Sequence, residues 1–250
     1  MLKKVLISLC LVLVSASSLA AGGLKVGMSA DYPPLHFREQ GKIHGVEADN
    51  VRTVSEILSR PMDIVVLPLD ELIPALEAGR IDVIMSGLSV TAERSQRVLF
   101  SDAYLRVGQM AIMHKSKVGR YSQPWAVYRE GVRIGVEPGT TGAAFAEREL
   151  KDAQVSFYED SAAAFDGLRG DEIDLYIHDA PTSWQLANAK ENDDLISLYA
   201  PLTEEMLAWA VRKDDTALVE ELNRALALLK SNGSLQYILN LWIRVTVEVR

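Results

Sequence analysis

The stretch Leu76-Glu77-Ala78-Gly79-Arg80-Ile81-Asp82-Val83-Ile84-Met85-Ser86 predicts a helix end, a turn, a short buried strand and a polar residue where the strand ends. It recurs without a gap as Leu168-Arg169-Gly170-Asp171-Glu172-Ile173-Asp174-Leu175-Tyr176-Ile177-His178. A weaker echo pairs Lys25-Val26-Gly27-Met28-Ser29 with Arg133-Ile134-Gly135-Val136-Glu137. One echo alone would also fit two ordinary strand–helix units, since such units resemble one another. Two echoes in the same order favour two similar lobes whose strand ends face a shared cleft.

The residues after the first copy have the composition of a site for a small carboxylate. Ser86, Gly87 and Ser89 follow the strand directly, and Arg94 comes five residues later. Ligands of open α/β sheets bind at the carboxyl ends of strands. Gly87 has no side chain to keep backbone donors away from a ligand, and a guanidinium matches a carboxylate with two parallel hydrogen bonds. We therefore predict half of a carboxylate site here.

The second half of the chain offers complementary groups. Gly139-Thr140-Thr141-Gly142 lies between a predicted strand and a predicted helix, and N–H groups at a helix N-terminus bind anions. Its glycine spacing matches neither a Walker loop nor the dinucleotide fingerprint, and an isolated turn of this kind is more often plain loop chemistry. Asp179 is placed to pair with a ligand ammonium and His178 to donate to a polar side chain. The alternative is that Asp179 caps the helix that follows at Pro181.

Strands and helices alternate along the chain, which predicts an α/β fold with mostly parallel sheets. We expect Asp49 to cap one helix and Gly79 to end another. The loop 116–131 contains Gly119, Pro124 and Gly131, and it is the expected connection between lobes. Predicted strands cover 24–28, 62–66, 81–85, 132–136, 173–177 and 206–211, and an amphipathic helix covers 216–230.

The first twenty residues have the organisation of a secretory signal. Lys3 and Lys4 precede an apolar run from Val5 to Val14, and Ser18-Leu19-Ala20 is a small-x-small cleavage site. The apolar run is too short to span a membrane comfortably, although an uncleaved anchor is the alternative. Cys10, the single cysteine, lies inside this run, so the mature chain is expected to have no disulfide. We predict a signal peptide over residues 1–20 and a periplasmic protein.

Composition and motifs argue against several functions. The formal charge of −8 disfavours nucleic acid, which selects basic surfaces. The four histidines show no metal-ligand spacing, and no Gly-x-Ser-x-Gly elbow occurs. We therefore expect no metal, no cofactor, no nucleic-acid partner and no enzymatic activity.

From about Leu24 to Ile243 the chain resembles the polar amino-acid-binding proteins of ABC importers, the type II periplasmic family. The motifs that carry the resemblance are Asp31-Tyr32-Pro33-Pro34, Leu72-Ile73-Pro74-Ala75-Leu76, Met85 to Arg94, Phe100-Ser101-Asp102-Ala103-Tyr104, Gly139-Thr140-Thr141 and His178-Asp179-Ala180-Pro181.

The resemblance implies a role for each site residue. Arg94 would bind the α-carboxylate, with help from Ser89 and from the backbone near Gly87 and Thr141. Asp179 would take the α-ammonium together with the Ser86-Gly87 carbonyl region. The remaining candidate contacts, to the side chain and the edges of the ligand, are Ser29, Tyr32, Leu69, Glu137, Thr140 and His178, with Tyr32 and Leu69 as apolar walls.

Departures from the family pattern affect the ligand more than the fold. Family members often carry an acid at the position of Ser29, and glutamine binders carry a lysine at the position of Glu137. The His178 segment is most like the glutamine binders, whereas Leu69 is more like the histidine and lysine-arginine-ornithine binders. Glu137 facing the cleft would favour a cationic side chain, and facing solvent it would not. We expect a polar amino acid, either cationic or glutamine-like.

The family fold implies two α/β lobes joined by a two-segment hinge. The first lobe would cover 24–112 plus 208–250 and the second 113–207. The expected partners are an amino acid and an inner-membrane ABC permease, with the protein a monomer. Two alternatives remain: a ligand-presenting sensory protein, and a periplasmic cyclohexadienyl dehydratase-like enzyme. Such enzymes carry a catalytic acid shortly after the Asp179 position, where this chain has Thr182.

Overall fold

The computed structural model describes residues 22–198 and 200–243. The predicted signal peptide over residues 1–20, with Cys10, lies outside the described residues. Within these ranges the chain forms two five-stranded sheets, one three-stranded sheet and one two-stranded sheet.

The strands in this part of the chain are, in order, β1 (Leu24–Met28), β2 (Asp31–Tyr32), β3 (His36–Glu39), β4 (Lys42–His44), β5 (Met62–Val66), β6 (Val83–Ile84), β7 (Val98–Phe100), β8 (Leu105–Val107), β9 (Gln109–His114), β10 (Arg133–Val136), β11 (Gln154–Phe157), β12 (Leu175–Asp179), β13 (Leu195–Ser197), β14 (Glu205–Leu207) and β15 (Ala210–Arg212). The α-helices are α1 (Val46–Leu58), α2 (Leu69–Glu77), α3 (Ala92–Arg97), α4 (Val118–Tyr121), α5 (Thr141–Glu149), α6 (Ser161–Arg169), α7 (Ala180–Asn188), α8 (Thr216–Ser231) and α9 (Ser234–Trp242).

The two large sheets repeat one pattern, as the internal echoes predict. The first has the order β5-β1-β6-β15-β7 and the second β11-β10-β12-β9-β13. In each, three parallel strands are followed by a fourth that runs antiparallel to them and a fifth that runs antiparallel to the fourth. The echoed residues make the same contact in both lobes: Lys25 N donates to Asp82 Oδ2 at 2.9 Å, and Arg133 N donates to Asp174 Oδ2 at 3.0 Å. The repeat in the sequence is therefore a repeat in structure.

Helices cover both faces of the first sheet. On one face Val26 and Val83 pack with Val54 of α1 and Leu222 of α8. On the other, Ile84 packs with Leu72 of α2. The central strand β6 is buried on both faces, so neighbouring Val83 and Ile84 are both apolar.

The second sheet is enclosed in the same way. Ile134 and Leu175 pack with Phe145 of α5 on one face. Tyr176 and Phe165 of α6 lie together on the other. The loop 116–131 does not connect the lobes, contrary to our expectation, because α4 and the 3₁₀ turn Pro124–Tyr128 fold onto this second core through Tyr121, Ala126 and Val127.

Two chain segments cross between the lobes side by side. β8 and β14 pair as an antiparallel ribbon from Leu105↔Leu207 to Val107↔Glu205. Gly108 follows β8, and a Cβ there would lie only 2.0 Å from the Thr203 carbonyl oxygen, so the close approach of the two segments requires glycine. The next strand, β9, belongs to the second sheet throughout. The sheet boundary thus falls ahead of the 112/113 limit predicted from sequence.

The helix predicted to start at Asp49 begins earlier. α1 starts at Val46 after Gly45, whose φ is 114°. Its first N–H groups are satisfied by backbone carbonyls: Val46 N donates to Pro34 O at 3.2 Å and Glu47 N to Leu35 O at 2.8 Å. No side-chain cap is needed at this end, so Asp49 lies inside the first turn.

Candidate functional site

A cleft of about 810 Å³ opens where β1, β6, β10 and β12 end, and residues of both lobes line it. The structure brings every sequence-predicted site residue to this cleft, and their contacts with a ligand remain predictions. These residues are Ser29, Tyr32, Leu69, Ser86, Gly87, Ser89, Arg94, Glu137, Thr140, Thr141, His178 and Asp179.

Arg94 spans the cleft from the first lobe. It lies in α3, whose N-cap Thr91 accepts a hydrogen bond from the Arg94 backbone N–H at 3.1 Å. Its guanidinium donates to the Ser89 carbonyl at 3.1 Å and to the Gly139 carbonyl of the second lobe at 3.2 Å. Burial lowers the pKa of Arg94, while Asp179 and Glu205 oppose that shift. A guanidinium stays charged in proteins, so the cleft holds a fixed cation.

Asp179 ends β12 on the opposite side. Its two oxygens accept from different parts of the chain: Oδ2 from the Tyr32 hydroxyl and Oδ1 from the Gln109 amide. Tyr32, predicted only as an apolar wall, therefore also ties the first lobe to Asp179. Burial raises the pKa of Asp179, and burial together with Asp179 raises that of Tyr32. Each oxygen of a carboxylate has a further lone pair, so a ligand ammonium still finds an acceptor here.

Glu205 places a second carboxylate beside the cleft. Its Oε2 accepts from the Ser89 hydroxyl at 2.8 Å and the Thr141 hydroxyl at 2.7 Å. Its Oε1 accepts from the Thr203 hydroxyl at 2.8 Å and Gln109 Nε2 at 3.1 Å. Glu205 lies at the start of β14, so a crossing strand is tied to both walls of the site.

Ser29 and Ser86 are joined beneath the cleft by a buried histidine. His36 contacts the Ser29 hydroxyl through Nδ1 at 3.3 Å and the Ser86 hydroxyl through Nε2 at 3.2 Å. The Ser29 N–H also donates to Ser86 Oγ at 3.0 Å. Burial lowers the pKa of His36 to about 4. The ring is therefore neutral at pH 7, and it fixes both hydroxyls.

A buried carboxylate supports Gly87 from behind. Glu47 Oε1 accepts from the Gly87 N–H at 3.0 Å and the Tyr104 hydroxyl at 2.7 Å, and Oε2 accepts from Trp209 Nε1 at 3.2 Å. Burial raises the pKa of Glu47. The Gly87 N–H is thus taken by Glu47 and is not the ligand donor that the sequence suggests.

The second lobe supplies a further polar cluster. Glu137 Oε1 accepts from the Tyr176 hydroxyl and from the Ser161 hydroxyl at 3.0 Å, and His178 Nε2 lies 3.7 Å away. The Glu137 side chain lines the cleft rather than pointing into bulk solvent. Burial, followed by Glu137, raises the pKa of Tyr176. A carboxylate therefore faces the region open to the ligand side chain.

The N-terminus of α5 points its first turn at the same space. Thr140 is the N-cap: its hydroxyl accepts from Ala143 N at 3.1 Å and donates to the Glu137 carbonyl at 2.7 Å. The first N–H groups of a helix have no partner within it. Those of Thr141 and Gly142 are accordingly suited to an anion.

Comparison with known proteins matches residues 24–245 to the bacterial extracellular solute-binding proteins, family 3. The chain belongs to this family. Its fold is the type II periplasmic binding protein fold.

Three relatives illustrate the range of this solute-binding protein family. The chain is 28% identical to ABC transporter arginine-binding protein 1 of Escherichia coli, over 96% of this chain and 99% of that protein. It is 30% identical to the cyclohexadienyl dehydratase of Pseudomonas aeruginosa, over 68% of each. The solved structure of an ancestral arginine-binding protein bound to arginine superimposes with a TM-score of 0.81 at 28% identity, covering 89% of this chain and 99% of that one.

The cleft of this solute-binding protein is strongly acidic. Arg94 is the one lysine or arginine among the described residues that line it. The lining carboxylates are Asp31, Asp70, Glu137, Glu159 and Asp179. The cleft thus disfavours a ligand of net negative charge.

Gln109 and Glu205 were not identified from the sequence. Both lie on the crossing segments, Gln109 at the start of β9 and Glu205 at the start of β14. Gln109 is a buried polar residue followed by the apolar run Met110-Ala111-Ile112-Met113, and that break was the available signal. Nothing local distinguishes Glu205 from the exposed Glu204 beside it.

Over residues 22–198 and 200–243, no group of three or more His, Cys, Asp or Glu is arranged to hold a metal ion. In the same ranges no helix is long and apolar enough to cross a membrane.

Proposed function

We propose that this protein captures one L-amino acid between its two lobes and delivers it to an ABC permease of the inner membrane. The observation that carries the proposal is the position of Arg94 and Asp179 on opposite walls of one cleft. Arg94 binds the α-carboxylate, with the first N–H groups of α5, and Asp179 takes the α-ammonium.

Opposite charges on the two lobes allow one ligand to contact both lobes and hold them together. A ligand shifts a conformational equilibrium only by its differential affinity for the two states. A zwitterion that touches Arg94 and Asp179 at once makes both contacts only when the lobes are close. Hinge closure of this kind is known in periplasmic binding proteins.

The lining charges support a cationic or amide side chain. Once Arg94 and Asp179 hold the backbone groups, four carboxylates still line the cleft: Asp31, Asp70, Glu137 and Glu159. They repel an acidic side chain and attract a cationic one. The arginine-binding relative is consistent with this preference.

Binding rather than catalysis is the better-supported role. Thr182, at the position where we expect the catalytic acid of the dehydratases, is buried and its hydroxyl donates to the Pro33 carbonyl at 2.7 Å. No carboxyl group occupies that position. We also propose a periplasmic location, from the signal peptide predicted over residues 1–20, and a monomer.

A ligand screen tests this function. The mature protein is unfolded thermally with each of the twenty common amino acids, and hits are measured by calorimetry. A ligand at a hundred times its Kd adds about 2.7 kcal/mol of stability, and the expected hits are arginine, lysine, histidine or glutamine. Absence of binding by all twenty amino acids would contradict the proposal. Formation of phenylpyruvate from prephenate would support the dehydratase instead.

A further inference from the structure

Glu205 collects four hydrogen-bond donors although it touches the cleft only through its neighbours. Oε2 accepts from Ser89 and Thr141, and Oε1 accepts from Thr203 and Gln109. An ionised carboxylate only accepts. The direction of all four hydrogen bonds is therefore fixed by Glu205.

The hydrogen bond to Glu205 uses the only proton of the Ser89 hydroxyl. A hydroxyl group has one proton and two lone pairs. The Ser89 proton goes to Glu205 at 2.8 Å, so Ser89 has no proton left for a ligand carboxylate. Its lone pairs remain, and Ser89 lines the cleft. Thr141 is in the same state, since its hydroxyl proton goes to Glu205 at 2.7 Å.

We propose that Glu205 is a positioning residue that sets the hydrogen-bond polarity of the site, making Ser89 an acceptor for the α-ammonium of the ligand. The proposal rests on the proposed function. Arg94 and the α5 N-terminus then bind the carboxylate without the Ser89 hydroxyl, which revises the role expected from sequence. Asp179 and Ser89 together accept from the ammonium. Gln109 connects these two acceptors, because it donates to Asp179 and also to Glu205, which holds Ser89.

The variant Glu205→Gln reverses this polarity at constant shape. Its amide nitrogen is repelled from the Oε1 position, because Gln109 Nε2 is itself a donor 3.1 Å away. It therefore takes the Oε2 position and donates its two protons to Ser89 and Thr141. Their hydroxyl protons turn toward the cleft and oppose an ammonium. Glu204→Gln is the matched control, because Glu204 is exposed and pairs with the exposed Arg106 at 3.3 Å.

The experiment compares amino acids with counterparts that lack the α-amino group. Calorimetry is run on wild type, Glu205→Gln and Glu204→Gln with L-arginine, L-lysine, L-histidine and L-glutamine. The counterparts are 5-guanidinopentanoate, 6-aminohexanoate, imidazolepropanoate and glutaramate. Glu205→Gln is expected to weaken the bound amino acid about tenfold or more, the cost of one hydrogen bond to a charged group. It leaves the deamino counterpart unchanged, and Glu204→Gln changes neither.

A double-mutant cycle with Ser89→Ala separates positioning from general damage. If Glu205 acts through Ser89, adding Ser89→Ala to Glu205→Gln causes little further loss, whereas independent effects add. Additive losses, or equal losses for the amino acid and its deamino counterpart, would overturn the inference while leaving the proposed function intact. Failure of wild type to bind any of the four amino acids would instead overturn the proposed function.

Discussion

Arg94 of the first lobe donates a hydrogen bond from Nη2 to the carbonyl oxygen of Gly139 in the second lobe, 3.2 Å away. The same guanidinium holds the Ser89 carbonyl through Nη1. Arg94 therefore lies where a ligand carboxylate and the opposite lobe are both within its reach. Under the proposed function, ligand binding and lobe closure would both depend on this one side chain.

Arg94→Ala is expected to abolish micromolar binding. Removing one partner of a buried charge pair costs about 2–5 kcal/mol, roughly thirtyfold to a few thousandfold in affinity. Isothermal calorimetry with the ligand found in the screen measures the loss. Arg97→Ala is the matched control on the same helix, since Arg97 pairs with Glu77 at 2.6 Å and both side chains are more than two-fifths exposed. Unchanged affinity in Arg94→Ala would show that the carboxylate binds elsewhere.

Asp179→Asn is expected to weaken binding at neutral pH and to remove part of its pH dependence. Burial holds the pKa of Asp179 above its usual value. On acidification the carboxylate therefore takes up a proton sooner than an exposed aspartate, and its attraction for the ammonium is lost. Affinity is measured from pH 8 down to pH 4. In Asp179→Asn the affinity should be lower than in wild type and should change less with pH. Asp166 on α6 has a side chain that is 83% exposed, so Asp166→Asn should have the affinity of wild type at each pH. A wild-type curve in Asp179→Asn would refute the assignment.

Gly87→Ala is expected to damage the site and the first lobe together. Gly87 has φ of +57°, and a Cβ there would lie 2.9 Å from both Tyr32 Cε1 and Leu35 Cδ1. The left-handed backbone alone costs a residue with a side chain about 1–2 kcal/mol. Leu35 is fully buried, so Tyr32 must move, and its hydrogen bond to Asp179 is then disturbed. Urea unfolding and calorimetry should both report a loss.

The control for this substitution is Gly119→Ala. Gly119 lies in α4 with no atom within 4 Å of its Cβ position, and alanine favours a helix. Gly119→Ala should be as stable as wild type or slightly more so. Wild-type stability and affinity in Gly87→Ala would mean that the tight contact at Gly87 has no consequence.

His36 should make the protein less stable in mild acid. Burial lowers the pKa of His36 from 6.5 to about 4. Between these values the unfolded chain binds the proton and the folded chain does not, so the free energy of unfolding falls as pH drops from 6.5 toward 4. At 1.36 kcal/mol for each pKa unit the full effect is about 3 kcal/mol.

Urea unfolding at a series of pH values between 7 and 4 measures this effect. His36→Gln removes the titrating group, so its stability should fall less steeply over this range than that of wild type. His44→Gln, at a half-exposed position on β4, should keep the wild-type slope. Equal slopes in wild type and His36→Gln would contradict the prediction.

The strand exits illustrate what can be read from local sequence. The sequence predicts that Ser86 and Asp179 lie at the cleft, because the strand itself places a polar residue that ends it at the edge of the sheet. The repeat of Asp82 at Asp174 likewise predicts two similar lobes. In the structure both aspartates accept the N–H of the strand paired beside them. These features depend only on neighbours within one strand–helix unit.

The start of α1 and the partner of Gly87 illustrate what local sequence misses. The first N–H groups of α1 are satisfied by carbonyls of Pro34 and Leu35, on the turn before it. The Gly87 N–H is taken by Glu47, forty residues earlier in the chain. A pattern of apolar and polar residues does not specify such partners.

The sequence by itself determined the repeated α/β units, the buried strands and the polar residues at their ends, because periodicity and strand geometry act over a few residues. Only the tertiary structure decided which groups stand behind those residues. Ser89 and Glu205 are 116 positions apart, and they meet because the second crossing strand runs beside β8 between the lobes. That contact depends on how the whole chain closes, and it directs the Ser89 proton away from the cleft.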